Sequence, residues 1–72
     1  MTTMTIDLLS QVGQALYGER WQTGLASDLD VTDRTMRRWI AGDRALPDIR
    51  TELAEILAAR QATLAKLERR LR

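Results

Sequence analysis

The chain has no cysteine, no histidine and no phenylalanine among its 72 residues, and only one proline. Without cysteine there is no disulfide scaffold, and without cysteine or histidine there is no zinc site of the usual ligand set. That composition fits a reducing compartment, and a soluble, cytoplasmic protein is expected. No apolar run approaches the roughly 18 residues that a membrane span requires. The opening "MTTMTIDLL" lacks a basic segment followed by an apolar one, so no secretory signal is expected. Catalysis has little to stand on: the acids are scattered or lie beside arginines, and Gly13, Gly18 and Gly24 fit no phosphate-binding loop. The expectation is a protein that is not an enzyme and holds neither metal nor cofactor.

Seventy-two residues make one small domain with one hydrophobic core. Such a domain is marginal alone, so a partner that shares buried surface is expected. The net charge of +1 decides nothing, but its distribution does. Residues 1–33 hold one base, Arg20, against Asp7, Glu19, Asp28, Asp30 and Asp33. Residues 34–44 hold Arg34, Arg37, Arg38 and Arg44 against Asp43. A second basic excess closes the chain in "KLERRLR". Positive charge is focused rather than spread.

Glycine and proline divide the chain into segments of helical period. Ile6, Leu9, Val12 and Leu16 recur at spacings of three and four, between Thr5 as N-cap and Gly18 as a left-handed C-cap. Gly13 inside this helix costs about 1 kcal/mol against alanine, which points to close packing there. A second helix is expected over about 20–29, with Trp21, Leu25, Ala26 and Leu29 apolar. A third runs over about 33–41, opened by Thr32 and closed at Gly42. After "DRALP", a fourth runs from about Asp48 to Leu71 with Ile49, Leu53, Ile56 and Leu57 facing a core. No segment alternates like a strand, so the class is all-α.

The third helix is sharply divided. With Arg34 at 0° and about 100° per residue, Arg38 falls near 40° and Arg37 near 300°, while Trp39, Met36 and Ile40 fall near 140°, 200° and 240°. Three arginines occupy one side and three large apolar groups the other, so the apolar side is buried. Arg34 and Arg38 repel by roughly 0.2–0.5 kcal/mol at this spacing. Asp33 can pair with Arg37, which leaves Arg34 and Arg38 uncompensated. An anionic partner is the simplest reason for that arrangement.

Leu25, Ala26, Leu29, Val31, Met36 and Trp39, with "VTDRTMRRWIAGDRALP", resemble the helix-turn-helix of small phage and bacterial regulators of the Cro and lambda-repressor type. The likeness covers about Arg20 to Pro47. In that pattern a small residue sits where two helices cross, here Ala26. An apolar residue follows the turn, here Val31, and two more hold the recognition helix, here Met36 and Trp39. Where the family usually has glycine at the turn, this chain has Asp30, a residue that tolerates positive φ comparatively well.

The resemblance implies a compact four-helix helix-turn-helix domain over 1–58. Residues 59–72 extend the long C-terminal helix as a basic segment. Thr32, Asp33, Arg34 and Arg37 would contact bases, arginine matching the paired acceptors of guanine. Arg20, Gln22, Thr23, Arg38 and Arg44 would hold phosphates. Asp33 stays open between accepting from cytosine and merely favouring the helix dipole. Leu57, Leu64, Leu67 and Leu71 continue a heptad from Leu53, interrupted by Arg60, and are the expected dimerisation residues.

The function so implied is sequence-specific binding of double-stranded DNA by a homodimeric transcriptional regulator. Its favoured mode is repression at an inverted-repeat operator, which allows autoregulation. The blander account of the arginines is a solvated, salt-bridged face. Trp21 and Trp39 could stack on bases, although their spacing favours the core. The C-terminal segment could instead hold phosphates or lie on a membrane surface, but the glutamates interrupting its basic face disfavour the membrane. A rival of another class is a helical protein-interaction module, an adaptor or antitoxin-like partner that uses the arginine face and the last helix.

Overall fold

The fold is described over residues 4–72 in a computed structural model. Met1, Thr2 and Thr3, which open both the N-terminal segment and the expected 1–58 domain, lie outside the described residues. Thr5 has extended backbone, and its hydroxyl accepts from the Leu8 N–H at 3.1 Å, capping α1 (Ile6–Tyr17). Gly18 ends α1 at φ 80° and ψ −150°. The positive φ is as expected, but the backbone is extended rather than left-handed helical, a region open essentially to glycine alone. It leads into a 3₁₀ turn, Gly18–Arg20, and then α2 (Trp21–Asp28), one residue shorter at each end than expected.

Two glycines let α1 and α2 approach. A Cβ on Gly13 would fall inside the van der Waals envelope of Trp21 Cε3 and Cδ2, so the indole lies flat on the helix backbone. A Cβ on Gly24 would come within 2.8 Å of the Tyr17 ring. Both tryptophans belong to the core, each only 6 % exposed. They join Leu9, Leu25, Ala26, Met36 and Leu53 in one cluster, ringed by half-buried residues that include Val12, Leu29, Val31, Ile40 and Ile49.

Asp30 makes the turn to α3 (Asp33–Ala41), the one non-glycine residue with positive φ among those described, at 58°. Its N–H reaches Ser27 O at 3.1 Å, and the Val31 N–H reaches Ala26 O at 2.9 Å. This pair of bonds closes a helix end around a left-handed residue. Thr32 then caps α3, accepting from the Thr35 N–H at 3.0 Å. Gly42, at φ 82° and ψ 5°, ends α3 in the same manner, with Asp43 and Arg44 N–H groups both directed to Arg38 O.

The last helix, α4, spans Arg50–Arg70. It starts two residues later than expected because Asp48 acts ahead of it. The Asp48 carboxylate accepts from the Arg50 N–H and side chain, an ion pair of 2.8 Å that lowers its pKa to about 2. Leu53 is buried against the body, and the helix still touches it at Arg60. The Arg60 guanidinium lies 5.2 Å from the Tyr17 ring centroid and donates to Leu16 O at 3.2 Å. At about 1.5 Å per residue α4 is about 31 Å long. Its second half overruns the body, and the molecule is accordingly elongated, 47 × 28 × 19 Å.

The described residues are all-helical, without a strand, and no helix among them is long and apolar enough to cross a membrane. Gly13→Ala tests the packing of α1 on α2. Alanine is the better helix former by about 1 kcal/mol, but its methyl has to displace a buried indole. A net loss of about 1–3 kcal/mol is expected from overpacking, read from the urea midpoint, and a stabilised variant would contradict the packing described.

Candidate nucleic-acid interface

The face of α3 follows from what its other side buries. Met36 is fully buried and Trp39 nearly so, with Ile40 half-buried beside them. Helix geometry then turns Asp33, Arg34, Arg37, Arg38 and Ala41 outward, and all five are exposed. None of Arg34, Arg37, Arg38 and Arg44 forms an ion pair among the described residues, where the pairs within 4.0 Å are Arg50–Asp48 and Arg72–Glu68. The expected Asp33–Arg37 pair is therefore corrected. Asp33 sits in the first turn of α3, where the helix dipole alone favours an acid. The arginine face is thus more strongly positive than the sequence implied.

Thr32 is exposed, but its hydroxyl is already engaged. It accepts from the Thr35 N–H and donates to the Thr35 hydroxyl at 3.0 Å. Capping holds this side chain in place at the start of α3. Thr35 went unnoticed in the sequence reading. The available signal was its position three residues after the cap, where a short polar side chain can complete the first turn.

The left-handed turn at Gly42 brings Arg44 back beside Thr32. The chain reverses on Arg38 O, so residues 44–47 run along α3 towards its start. Arg44, Ala45 and Pro47 form one wall of an open cleft of about 540 Å³, and Asp30, Val31, Thr32, Thr35 and Trp39 form the rest. Twelve residues of sequence separate Thr32 from Arg44, and only this reversal joins them. Asp30 contributes a carboxylate here, so the cleft is mixed in charge.

Arg20, Gln22 and Thr23 are exposed and gather in a second shallow concavity at the start of α2, together with Glu19. The acid was not part of the expected phosphate-holding set. Leu64, Leu67 and Leu71 stand well exposed at 56 %, 48 % and 88 %, whereas Leu57 is half-buried. Leu53, which began the expected heptad, is taken up by the molecule's own core. Arg60 does not interrupt a seam between copies: it is folded back onto α1.

No protein-family model, curated protein or solved structure matches this chain. A rigid helix presents three unpaired guanidinium groups on one side, flanked by a fourth on a reversed loop, which suits a polyanion better than any small neutral ligand.

The joint that aims this face can be tested at Asp30. Glycine meets no steric penalty at φ 58°, so Asp30→Gly should leave stability within about 0.5 kcal/mol. Asp30→Val should cost about 1–2 kcal/mol, because a branched Cβ clashes in the left-handed region. Thermal unfolding of the two variants measures the difference, and equal midpoints would show that the turn relaxes.

Proposed function

We propose that this protein is a compact four-helix helix-turn-helix regulator that binds double-stranded DNA sequence-specifically as a homodimer. The observation that carries the reading is the set of unpaired arginines on the outer side of α3, a helix whose inner side is locked into the core. In this reading α3 is the recognition helix and enters the major groove. Arg34 and Arg37 read base edges, with Asp33 and the Thr32 methyl at the groove floor. Arg38, Arg44, Arg20, Gln22 and Thr23 hold phosphates on either side.

The homodimer places two recognition helices on half-sites about 34 Å apart, on an inverted repeat. Repression follows from occupying that operator, and a site upstream of its own gene would make the circuit autoregulatory. The protein works in the cytoplasm, without metal or cofactor and without chemistry of its own. The alternative, an adaptor or antitoxin-like module, draws on the exposed α4 leucines and would use the arginine face on an acidic protein. Purified protein that carries nucleic acid, seen as a raised 260/280 nm absorbance ratio, favours DNA over that alternative.

Counterion release makes phosphate-driven affinity fall steeply with salt. Gel-shift titrations on DNA from upstream of the gene should show a loss of at least tenfold between about 50 and 200 mM salt. Binding that ignores salt, or no binding to any DNA, would sink the proposal.

The roles of individual arginines separate in a second experiment. Arg34→Ala should cost roughly 1–3 kcal/mol on the preferred site and relax preference at one base position, whereas Arg44→Ala should weaken all sequences alike. Uniform losses from both variants would remove Arg34 from base reading.

A further inference from the structure

The outward side of α3 holds Asp33, Arg34, Arg37, Arg38 and Ala41, all exposed. Asp33, Arg34 and Arg37 stand at its N-terminal end. Asp33 and Arg37 are about 6 Å apart along the axis, less than two base-pair steps of about 3.4 Å. With α3 as the recognition helix, these three side chains are the ones that reach neighbouring base edges. None of them forms an ion pair or a side-chain hydrogen bond among the described residues, so their bonding capacity is intact.

That capacity is one-sided. Arginine offers five N–H donors and accepts nothing, while an ionised carboxylate accepts and donates nothing. In the major groove guanine alone presents two acceptors side by side, O6 and N7. Adenine sets a donor beside its N7, and thymine sets a methyl beside its O4. A guanidinium fork is therefore fully matched by guanine only. Asp33 needs a donor, which cytosine N4 supplies. Adenine N6 also donates, but the acceptor N7 beside it repels the second carboxylate oxygen.

The groups that read an A·T pair are missing from the same face. Asparagine and glutamine are the side chains that engage adenine at both N6 and N7. The chain contains no asparagine, and Gln11, Gln14, Gln22 and Gln61 lie on α1, α2 and α4. A thymine methyl finds a small apolar partner only at the margins. Thr32 stands ahead of the face, and Ala41 lies about 12 Å beyond Asp33 along α3. Asp33 is moreover repelled by every phosphate, so it weakens attachment to all duplexes unless a base amine answers it.

We propose that the duplex read by α3 is built on consecutive G·C pairs, with guanines under Arg34 and Arg37 and a cytosine under Asp33, which rejects other bases there. This deepens the DNA-binding reading and rests on it, but not on the homodimer, since a single α3 holds the preference.

The test is selection by the full-length protein from a pool of duplexes of randomised sequence, read as the bases enriched in the bound fraction. A shared run of consecutive G·C pairs is expected. Asp33→Asn then separates base reading from support of the helix. The Asp33 side chain is exposed and bonds to nothing in the fold, so the substitution leaves α3 in place. Asparagine matches adenine, so one position should change from cytosine to adenine by about fivefold or more while the guanine positions hold. If Asp33 merely favours the helix dipole, Asp33→Asn leaves every preference unaltered, and that result overturns the proposal. Bound duplexes with an A·T core, or with no shared sequence, would also overturn it while DNA binding stands. A pool from which nothing is retained would remove the proposed function together with this inference.

Discussion

The Val31 N–H returns to Ala26 O across a left-handed Asp30, and the orientation of α3 hangs on that bond. With φ positive at residue 30, the chain turns out of α2 within two residues and Thr32 can cap the next helix at once. Val31 is half-buried beside Ala26, which has room for it because alanine is small. From there the register of α3 is determined: Met36 and Trp39 point inward, so the arginines point outward. A turn one residue longer would rotate α3 by about 100° and bury a guanidinium. The cost of holding aspartate in the left-handed region, of order 1 kcal/mol, is offset by the bonds that close α2.

The core that α3 completes is small, and two close approaches enlarge its effect. Trp21 lies on the bare backbone of Gly13, and Tyr17 lies against Gly24, so two large aromatic groups pack between α1 and α2 without spreading them. Tyr17 in turn receives Arg60 from α4. The α1 C-terminus carries partial negative charge on its free carbonyls, and Arg60 answers it at Leu16 O. A single arginine thereby ties the long helix to the end of the first, while its stem covers apolar surface.

Much of this order was legible in the sequence. The helical period, Thr5, Thr32 and Gly42 as end signals, and the split of α3 into two faces all follow from local rules that need only neighbours along the chain. Gly13 stood out because glycine in a helix calls for a reason, and Trp21 supplies it. Asp30 stood out only through the resemblance, at the turn position where that family usually has glycine, and its φ of 58° is of the kind that position needs. Other assignments needed distances that no local rule contains. Arg60 looked like a flaw in a leucine heptad, since nothing in "AARQA" reveals a carbonyl 44 residues earlier. Leu53 looked equivalent to Leu64 for the same reason: the two share a stripe, and only the extent of the body separates them. Asp33 and Arg37 had suitable spacing for a pair, but spacing permits an exposed contact without enforcing it.

The sequence by itself determined the all-α class, the ends of α1 and α3 and the identity of the charged face, because caps, breakers and period act over a few residues. Tertiary structure alone decided which groups were consumed and which were left over. Packing took Leu53 into the core and released Leu64, Leu67 and Leu71. The reversal at Gly42 carried Arg44 to Thr32, and the α1 carbonyls claimed Arg60. Each of these outcomes depends on where separate helices meet in space, and that is set by the joint at Asp30 and the two glycines rather than by the residues whose fate it decides.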